Sequence, residues 1–100
     1  MTRATIEIRE GMIEVQVHGH ADTAEACCEV STLCCAVLNA LGDEAVDVVY
    51  LPGQVEFDAL ATQKNLDKVK VLYAGLLAAS EAHPDGVGVT WKDDRVVECQ

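Results

Sequence analysis

Residues 15–41 read VQVHGHADTAEACCEVSTLCCAVLNAL, and this stretch decides the fold that we expect for the chain. It begins with alternating apolar and polar residues, as in a half-buried strand, and then passes through a His-Gly-His triplet at 18–20 into an Ala-rich segment typical of a helix. Four of the five cysteines lie in it, as adjacent pairs at 27–28 and 34–35. Such a concentration of imidazoles and thiols is a candidate for a nucleophile with its base, a metal site, a disulfide or a core of small residues.

The helix in this stretch has two possible starts. Asp22 with Glu25 three residues later resembles a capping box, although Ser or Thr is the usual cap in that pattern. Ser31 or Thr32 is a second N-cap candidate. The later start would place the second cysteine pair in the first helical turn, where the positive end of the helix dipole lowers a thiol pKa.

The two cysteines of the second pair fall on different sides of this helix. At about 100° per residue, Cys34 shares a face with apolar residues, whereas Cys35 points elsewhere. The apolar residues on that face are Val30, Val37, Leu38 and Leu41. We therefore expect Cys34 to be a core residue and Cys35 to be the functional thiol.

The rest of the chain predicts five strands and a second helix. Alternation predicts strands over residues 5–10, 13–17, 45–51, 54–58 and 87–91. Spacing of i, i+3, i+4 predicts a helix over 65–83 with Asn65 as its N-cap, and we expect residues 95–100, with an incidental Cys99, to extend the last strand or fray. The expected fold is a single α+β domain over residues 1–100, of order β-β-α-β-β-α-β, with two helices on one face of a mostly antiparallel sheet.

Composition excludes some partners and favours others. The formal net charge is −10, from 17 acidic and 7 basic residues, and no basic stripe exists for nucleic-acid binding. An acidic surface favours a basic protein partner. The first ten residues lack a signal-peptide core, and we find no apolar run of the roughly 18 residues that span a membrane. We therefore expect a cytoplasmic protein with no membrane partner and no disulfides.

Two segments of the chain resemble the ribosomal-processing cysteine protease family, Prp. That family has a strand ending in Gly-His-Ala, a mobile loop, and a helix that opens with Asp-Ile-Val-Cys-Ala-Ala-Val-Ser-Ala-Leu. This chain has Gly-His-Ala at 19–21 and TLCCAVLNAL at 32–41. Thr32 stands at the family's Asp position and Asn39 at its Ser position, and the intervening loop is longer and lacks its glycine.

The resemblance implies a role for each matched residue. His20 matches the catalytic histidine and Cys35 the catalytic cysteine, while an alignment on Cys34 places the nucleophile on the apolar face. His18 is a candidate auxiliary residue. The resemblance also implies a helix start near residues 31–32.

The resemblance further implies a substrate and an assembly. Residues 21–30 would form a loop closing over the site, with Ala21, Asp22 and Thr23 contacting substrate. The substrate would be the N-terminal extension of a large-subunit ribosomal protein, which is basic, or a phage structural protein, because phages use relatives of the family. The protein would be a homodimer that needs no cofactor.

Two other functions stay open on the sequence. A zinc module could use His18, His20 and one cysteine of each pair, although the spacing fits no standard zinc pattern. A non-catalytic binding or assembly domain could have kept the protease fold, since fold alone does not guarantee activity.

Overall fold

The computed structural model describes residues 1–95; Cys99 and the proposed extension of the last strand lie outside the described residues. The elements follow the predicted order. They are β1 Thr2–Arg9, β2 Met12–His18, α1 Ala24–Leu41, β3 Val46–Leu51, β4 Gln54–Leu60, α2 Gln63–Ala82 and β5 Val87–Asp93, with a short 3₁₀ turn, Gly42–Glu44, after α1.

The five strands form one mixed sheet in the order β3-β4-β2-β1-β5. Three neighbouring pairs are antiparallel, and β1 with β5 is parallel. One face is apolar and belongs to a core that both helices share; a row through its centre joins Ile6, Val15 and Phe57. The other face, which we call the open face, is polar. The predicted α+β class, with two helices on one face of a mostly antiparallel sheet, is confirmed.

Helix α1 begins much earlier than the resemblance implies. Its N-cap is Thr23, whose hydroxyl accepts a hydrogen bond from the Ala26 N–H at 3.1 Å. The implied loop over residues 21–30 is therefore wrong from residue 24 onward. The physical reason is that the buried stripe of the helix continues two turns toward its N-terminus, through Val30 to Ala26.

The second helix also begins before its predicted N-cap. Thr62 caps α2 by accepting from the Asn65 N–H at 3.2 Å. Asn65 itself is buried inside the first turn, where its Nδ2 donates to the Leu60 carbonyl at 3.0 Å and to a Glu44 carboxylate oxygen at 3.2 Å. The expectation that Asn65 caps the helix is wrong because this side chain ties the helix to the end of β4 instead.

By length and composition alone, the helical segment 24–44 is apolar enough to cross a membrane, with a mean hydropathy of 1.4. The expectation that no apolar run has this length is wrong, because alanines and cysteines add to the hydropathy of the segment. The core helix of a soluble protein has the same character, and the buried stripe of α1 belongs to the common core.

Candidate active site

A cavity of about 350 Å³ lies between α1, the β3–β4 turn and the start of β1. Its lining includes His20, Cys27, Cys34 and the hydroxyl-bearing side chains of Ser31 and Tyr50. Cys35 is not in the lining but touches it through Tyr50. The cavity therefore collects an imidazole, thiols and hydroxyls from residues that are distant in sequence.

Gly19 positions the backbone that carries His20. Its N–H donates to the Gly53 carbonyl at 2.9 Å, and its own carbonyl accepts from the Thr2 hydroxyl at 3.3 Å. Its φ is 95°, and a Cβ there would lie 2.3 Å from the Met1 carbonyl oxygen. Only glycine fits this close approach, so backbone packing explains the glycine at the centre of the His-Gly-His triplet.

The His20 imidazole rests on the turn between β3 and β4. A Cβ built on Gly53 would lie 2.7 Å from His20 Nε2. Within residues 1–95 no hydrogen bond joins His20 to a cysteine sulfur. His20 thus borders the cavity without being paired to a thiol.

Tyr50 reaches the same cavity because β3 contains a bulge. The register with β4 shifts between Val46 and Val49, where Asp47 has a φ of 52°. After the shift Tyr50 stands opposite the buried Val55, whereas without it Tyr50 would stand opposite Gln54 on the open face. A one-residue slip moves a side chain to the other face of a sheet, so the bulge turns Tyr50 toward α1.

The Tyr50 hydroxyl contacts the thiol of Cys35, which the sequence favours as the functional thiol. It lies 2.9 Å from Cys35 Sγ and 3.1 Å from the Ser31 hydroxyl. The hydrogen bond to Cys35 raises the pKa of Tyr50, opposed in part by the one to Ser31. The contact between Tyr50 and Cys35 could not be anticipated from the sequence, because it depends on the bulge.

Cys34 and Cys35 differ as the helical pattern predicts. Cys34 is completely buried, while Cys35 is exposed. Burial, with a smaller contribution from Cys35, raises the pKa of the Cys34 thiol to about 11. Both residues lie in the middle of α1, so the expected placement in a first helical turn is wrong, and with it the idea that the helix dipole activates Cys35.

The residues that were expected to form a substrate loop have structural contacts. Ala21 donates its N–H to Cys27 Sγ at 3.2 Å, and Thr23 caps α1. The Asp22 carboxylate lies against Gly86, where a Cβ would be 2.2 Å from Oδ1. None of the three lines the cavity. Their contact with substrate stays a prediction.

The proposed zinc ligands are not all brought together. His18 lies at the end of β2 opposite Gln54, on the open face, where its Nε2 is hydrogen-bonded to Glu56. His20 and Cys34 border the cavity on the helical side of the sheet. The sheet thus separates His18 from the α1 cysteines, which also removes it as an auxiliary to Cys35.

A different cluster could hold a cation and was missed in the sequence. Ligand atoms of Glu25, Glu29 and His83 all lie within 4.8 Å of one another, with His83 Nε2 3.1 Å from a Glu29 carboxylate oxygen. The i, i+4 spacing of the two glutamates signals that they share a helix face, but nothing in the sequence places His83 beside them. In this structure the contact is a hydrogen bond that ties the start of α1 to the end of α2.

No family model and no curated protein matches the chain in sequence. Solved structures match it. The ribosomal processing protease Prp from S. aureus, in complex with a covalently linked product peptide, has a TM-score of 0.75 at 17% identity, over 94% of this chain and 100% of that one. The same protease with a substrate peptide gives 0.68 at 18% identity, over 92% and 100%. A protein of Streptococcus mutans gives 0.60 at 27% identity, over 93% of each chain.

The chain therefore has the fold of a small α+β ribosomal processing protease. The particular protease whose fold it shares is Prp, and the resemblance carried by residues 19–21 and 32–41 is confirmed at the level of the fold. At these identities, activity and site residues do not follow from the likeness.

Proposed function

We propose that this protein is a cysteine endopeptidase (a thiol protease) of the Prp type, with Cys35 as nucleophile and His20 as general base and acid. One observation carries the proposal. A single cavity has His20 on one wall and, on another, the Tyr50 hydroxyl that contacts the exposed Cys35 sulfur. The Prp structures of the same fold were solved with peptides, which supports a peptide as the substrate here.

The reaction begins when the Cys35 sulfur attacks the scissile carbonyl and His20 takes the thiol proton. His20 then protonates the leaving amine as the C–N bond breaks, leaving an acyl group on Cys35. Water then attacks the acyl carbonyl while His20 takes a proton from it, and the S–C bond breaks as His20 returns that proton to the Cys35 sulfur. The mechanism requires the His20 imidazole to turn from Gly53 toward Cys35, and catalytic hydrogen bonds commonly form only when substrate is bound.

Cys35 is preferred over the neighbouring thiols for physical reasons. The thiolate is the attacking species, and a buried Cys34 with a pKa of about 11 is almost entirely protonated near neutral pH. Cys27 borders the cavity but is held by hydrogen bonds to the Ala21 backbone. The Cys35 sulfur is exposed and has only the Tyr50 hydroxyl as a hydrogen-bond partner among the described residues.

The substrate that fits best is a basic ribosomal protein precursor with an N-terminal extension. The charge of −10 supports a basic partner, because complementary fields raise encounter rates. A phage structural protein is the other substrate of this kind. We further propose that the enzyme is a homodimer, as its resemblance to Prp implies, and that it is cytoplasmic, as expected from the sequence.

The test is cleavage of the large-subunit ribosomal precursor of the same organism, followed by intact-mass spectrometry. The wild-type protein should release the N-terminal extension, while Cys35→Ala and His20→Ala should not. Cys34→Ala is the matched control and should cleave, because Cys34 is completely buried and is not the proposed nucleophile. A wild-type protein that leaves both the ribosomal precursor and candidate phage structural proteins intact would refute the proposed activity.

A non-catalytic binding or assembly domain is the second candidate. It is favoured by His20, which makes no hydrogen bond to a cysteine within residues 1–95, and by the position of Cys35 in the middle of a helix instead of at its start. If Cys35→Ala and His20→Ala leave the cellular function of the protein unchanged, this candidate replaces the protease.

A further inference from the structure

The backbone around Cys35 cannot stabilise an oxyanion. Acyl transfer to a thiol places negative charge on the carbonyl oxygen, and proteases often stabilise it with free N–H groups at a helix start. Here α1 begins at Ala24, so the amides around Cys35 lie in the helix interior and are bonded within the helix. The free N–H groups at the start of α1 are therefore too far from Cys35 to stabilise its oxyanion.

A side chain must therefore supply the hydrogen-bond donor to the oxyanion, and the Tyr50 hydroxyl lies where such a donor is needed. It is 2.9 Å from Cys35 Sγ and lies on the wall of the cavity. An oxyanion formed on the attacked carbon is only two bonds from that sulfur, so a hydroxyl in contact with the sulfur can also reach the oxyanion. Ser31 is 3.1 Å from the same hydroxyl and can orient it.

We propose that Tyr50 is a catalytic residue, whose hydroxyl donates a hydrogen bond first to the Cys35 sulfur and then to the oxyanion. The inference rests on the proposed function of the same site. It replaces a backbone oxyanion site with a side chain that a β-bulge brings to the thiol.

The step balances without any added reactant. The S–C bond forms as the carbonyl π electrons move to oxygen, and the thiol proton passes to His20. Tyr50 keeps its proton and shares it with the oxyanion; when the C–N bond breaks, the carbonyl re-forms and the hydroxyl is released. A tyrosine suits this role because a phenol is protonated near neutral pH, and the contact with Cys35 raises the pKa of Tyr50 further.

The test compares two reactions of the Cys35 thiol in Tyr50→Phe. Acylation by p-nitrophenyl acetate forms an oxyanion, whereas alkylation by iodoacetamide forms none. Both are followed as modification of Cys35 by peptide mass mapping. Loss of one oxyanion donor lowers such rates about 10²-fold, so we expect that loss in acylation and a change within about threefold in alkylation.

Tyr73→Phe is the matched control. Tyr73 is the other tyrosine of the chain and packs on Trp91, with ring centroids 5.1 Å apart. It should leave both rates unchanged. Three results would overturn the inference: acylation in Tyr50→Phe at the wild-type rate, equal losses in both reactions, or no acylation of Cys35 in the wild type.

The reagents separate this inference from the proposed function. If the wild-type protein cleaves no peptide but acylation of Cys35 still depends on Tyr50, the protease proposal fails and the role of Tyr50 stands. If peptides are cleaved by Tyr50→Phe with an unchanged kcat, the protease stands and Tyr50 is not its oxyanion donor.

Discussion

At the residue scale, position on α1 decides what each thiol can do. Cys34 and Cys35 are adjacent, yet one is completely buried and the other exposed. A helical rotation of about 100° separates their side chains, which is why this difference could be predicted from the sequence. The hydrogen-bond partner of Cys35 could not be predicted, because Tyr50 faces α1 only through a bulge. No local signal in the sequence AVDVVYL at residues 45–51 indicates that bulge.

Alkylation should distinguish these two thiols. With limiting iodoacetamide at pH 7.5, Cys34 should react far more slowly than Cys35, because it is inaccessible and its pKa is raised to about 11. Peptide mass mapping over time measures both rates, and the exposed Cys28 serves as an internal reference. Equal alkylation rates at Cys34 and Cys35 would show that Cys34 is not buried.

Gly53→Ala should disturb His20 without unfolding the protein. The added methyl would lie 2.7 Å from His20 Nε2, so we expect the imidazole to move and peptide cleavage to fall by at least about tenfold. Gly11→Ala is the matched control: its φ of 78° is close to the 75° of Gly53, and a Cβ there meets nothing within 4 Å.

Both glycine variants should lose about 1–2 kcal/mol in urea unfolding, because each forces alanine into the left-handed region. The control should lose stability and keep activity. An equal loss of cleavage in both variants would mean that strain, and not the contact with His20, is responsible.

At the element scale, the start of α1 differs most from what the sequence resemblance implies. Residues 21–30 contain good helix formers and continue the buried stripe, and tertiary packing of that stripe outweighs the later capping signal at residues 31–32. The sequence offered a start near Asp22, one residue from the observed cap, but it could not decide between the two. The strands and their order along the chain were predictable because alternation is a local property. Alternation does not specify the parallel pairing of β1 with β5.

Capping variants measure where α1 begins. Thr23→Ala should lower the free energy of unfolding by about 1 kcal/mol, because the Ala26 N–H loses its acceptor. Thr32→Ala should be neutral or slightly stabilising, since alanine is the better helix former at an exposed helix interior. Urea unfolding followed by circular dichroism gives both values, and the reverse order would favour a helix start near residue 32.

The open face of the sheet carries a cross-strand row of carboxylates that should be sensitive to pH. Asp58 stands opposite Glu14, which stands opposite Glu7. Partial burial, and then repulsion from Glu14, raises the pKa of Asp58. A carboxyl whose pKa is higher in the folded state destabilises the fold when ionised and ceases to do so as pH falls through that pKa.

Asp58→Asn should therefore stabilise the protein by about 0.2–1 kcal/mol at pH 7, and the gain should vanish in acid. Glu56→Gln is the opposite case on the same face. Its hydrogen bond with His18 lowers the pKa of Glu56, so ionised Glu56 stabilises the fold above its unfolded-state pKa, and this contribution disappears as pH falls through the folded-state pKa. Urea unfolding at pH 7 and pH 3.5 tests both variants. Changes in the free energy of unfolding that have the same sign in both variants at pH 7 would contradict the assignment.

At the scale of the whole molecule, the fold and the charge were within reach of sequence, while the geometry of the site was not. The fold of Prp spans nearly the whole chain at only 17–18% identity, because a one-sided sheet with two helices needs the pattern of apolar residues more than their identity. The site depends on Gly19, the β3 bulge and the length of α1, three features that are set by tertiary contacts.

The central claim is that Cys35 is the nucleophile of a peptidase. Its most direct test is covalent labelling with a chloromethyl ketone whose peptide matches the residues before the processing site of the ribosomal precursor, followed by peptide mass mapping. We predict one adduct per chain, on Cys35, that is absent from Cys35→Ala and His20→Ala and retained in Cys34→Ala. An adduct on Cys27, Cys28 or Cys34, or no adduct in the wild-type protein, would contradict the claim.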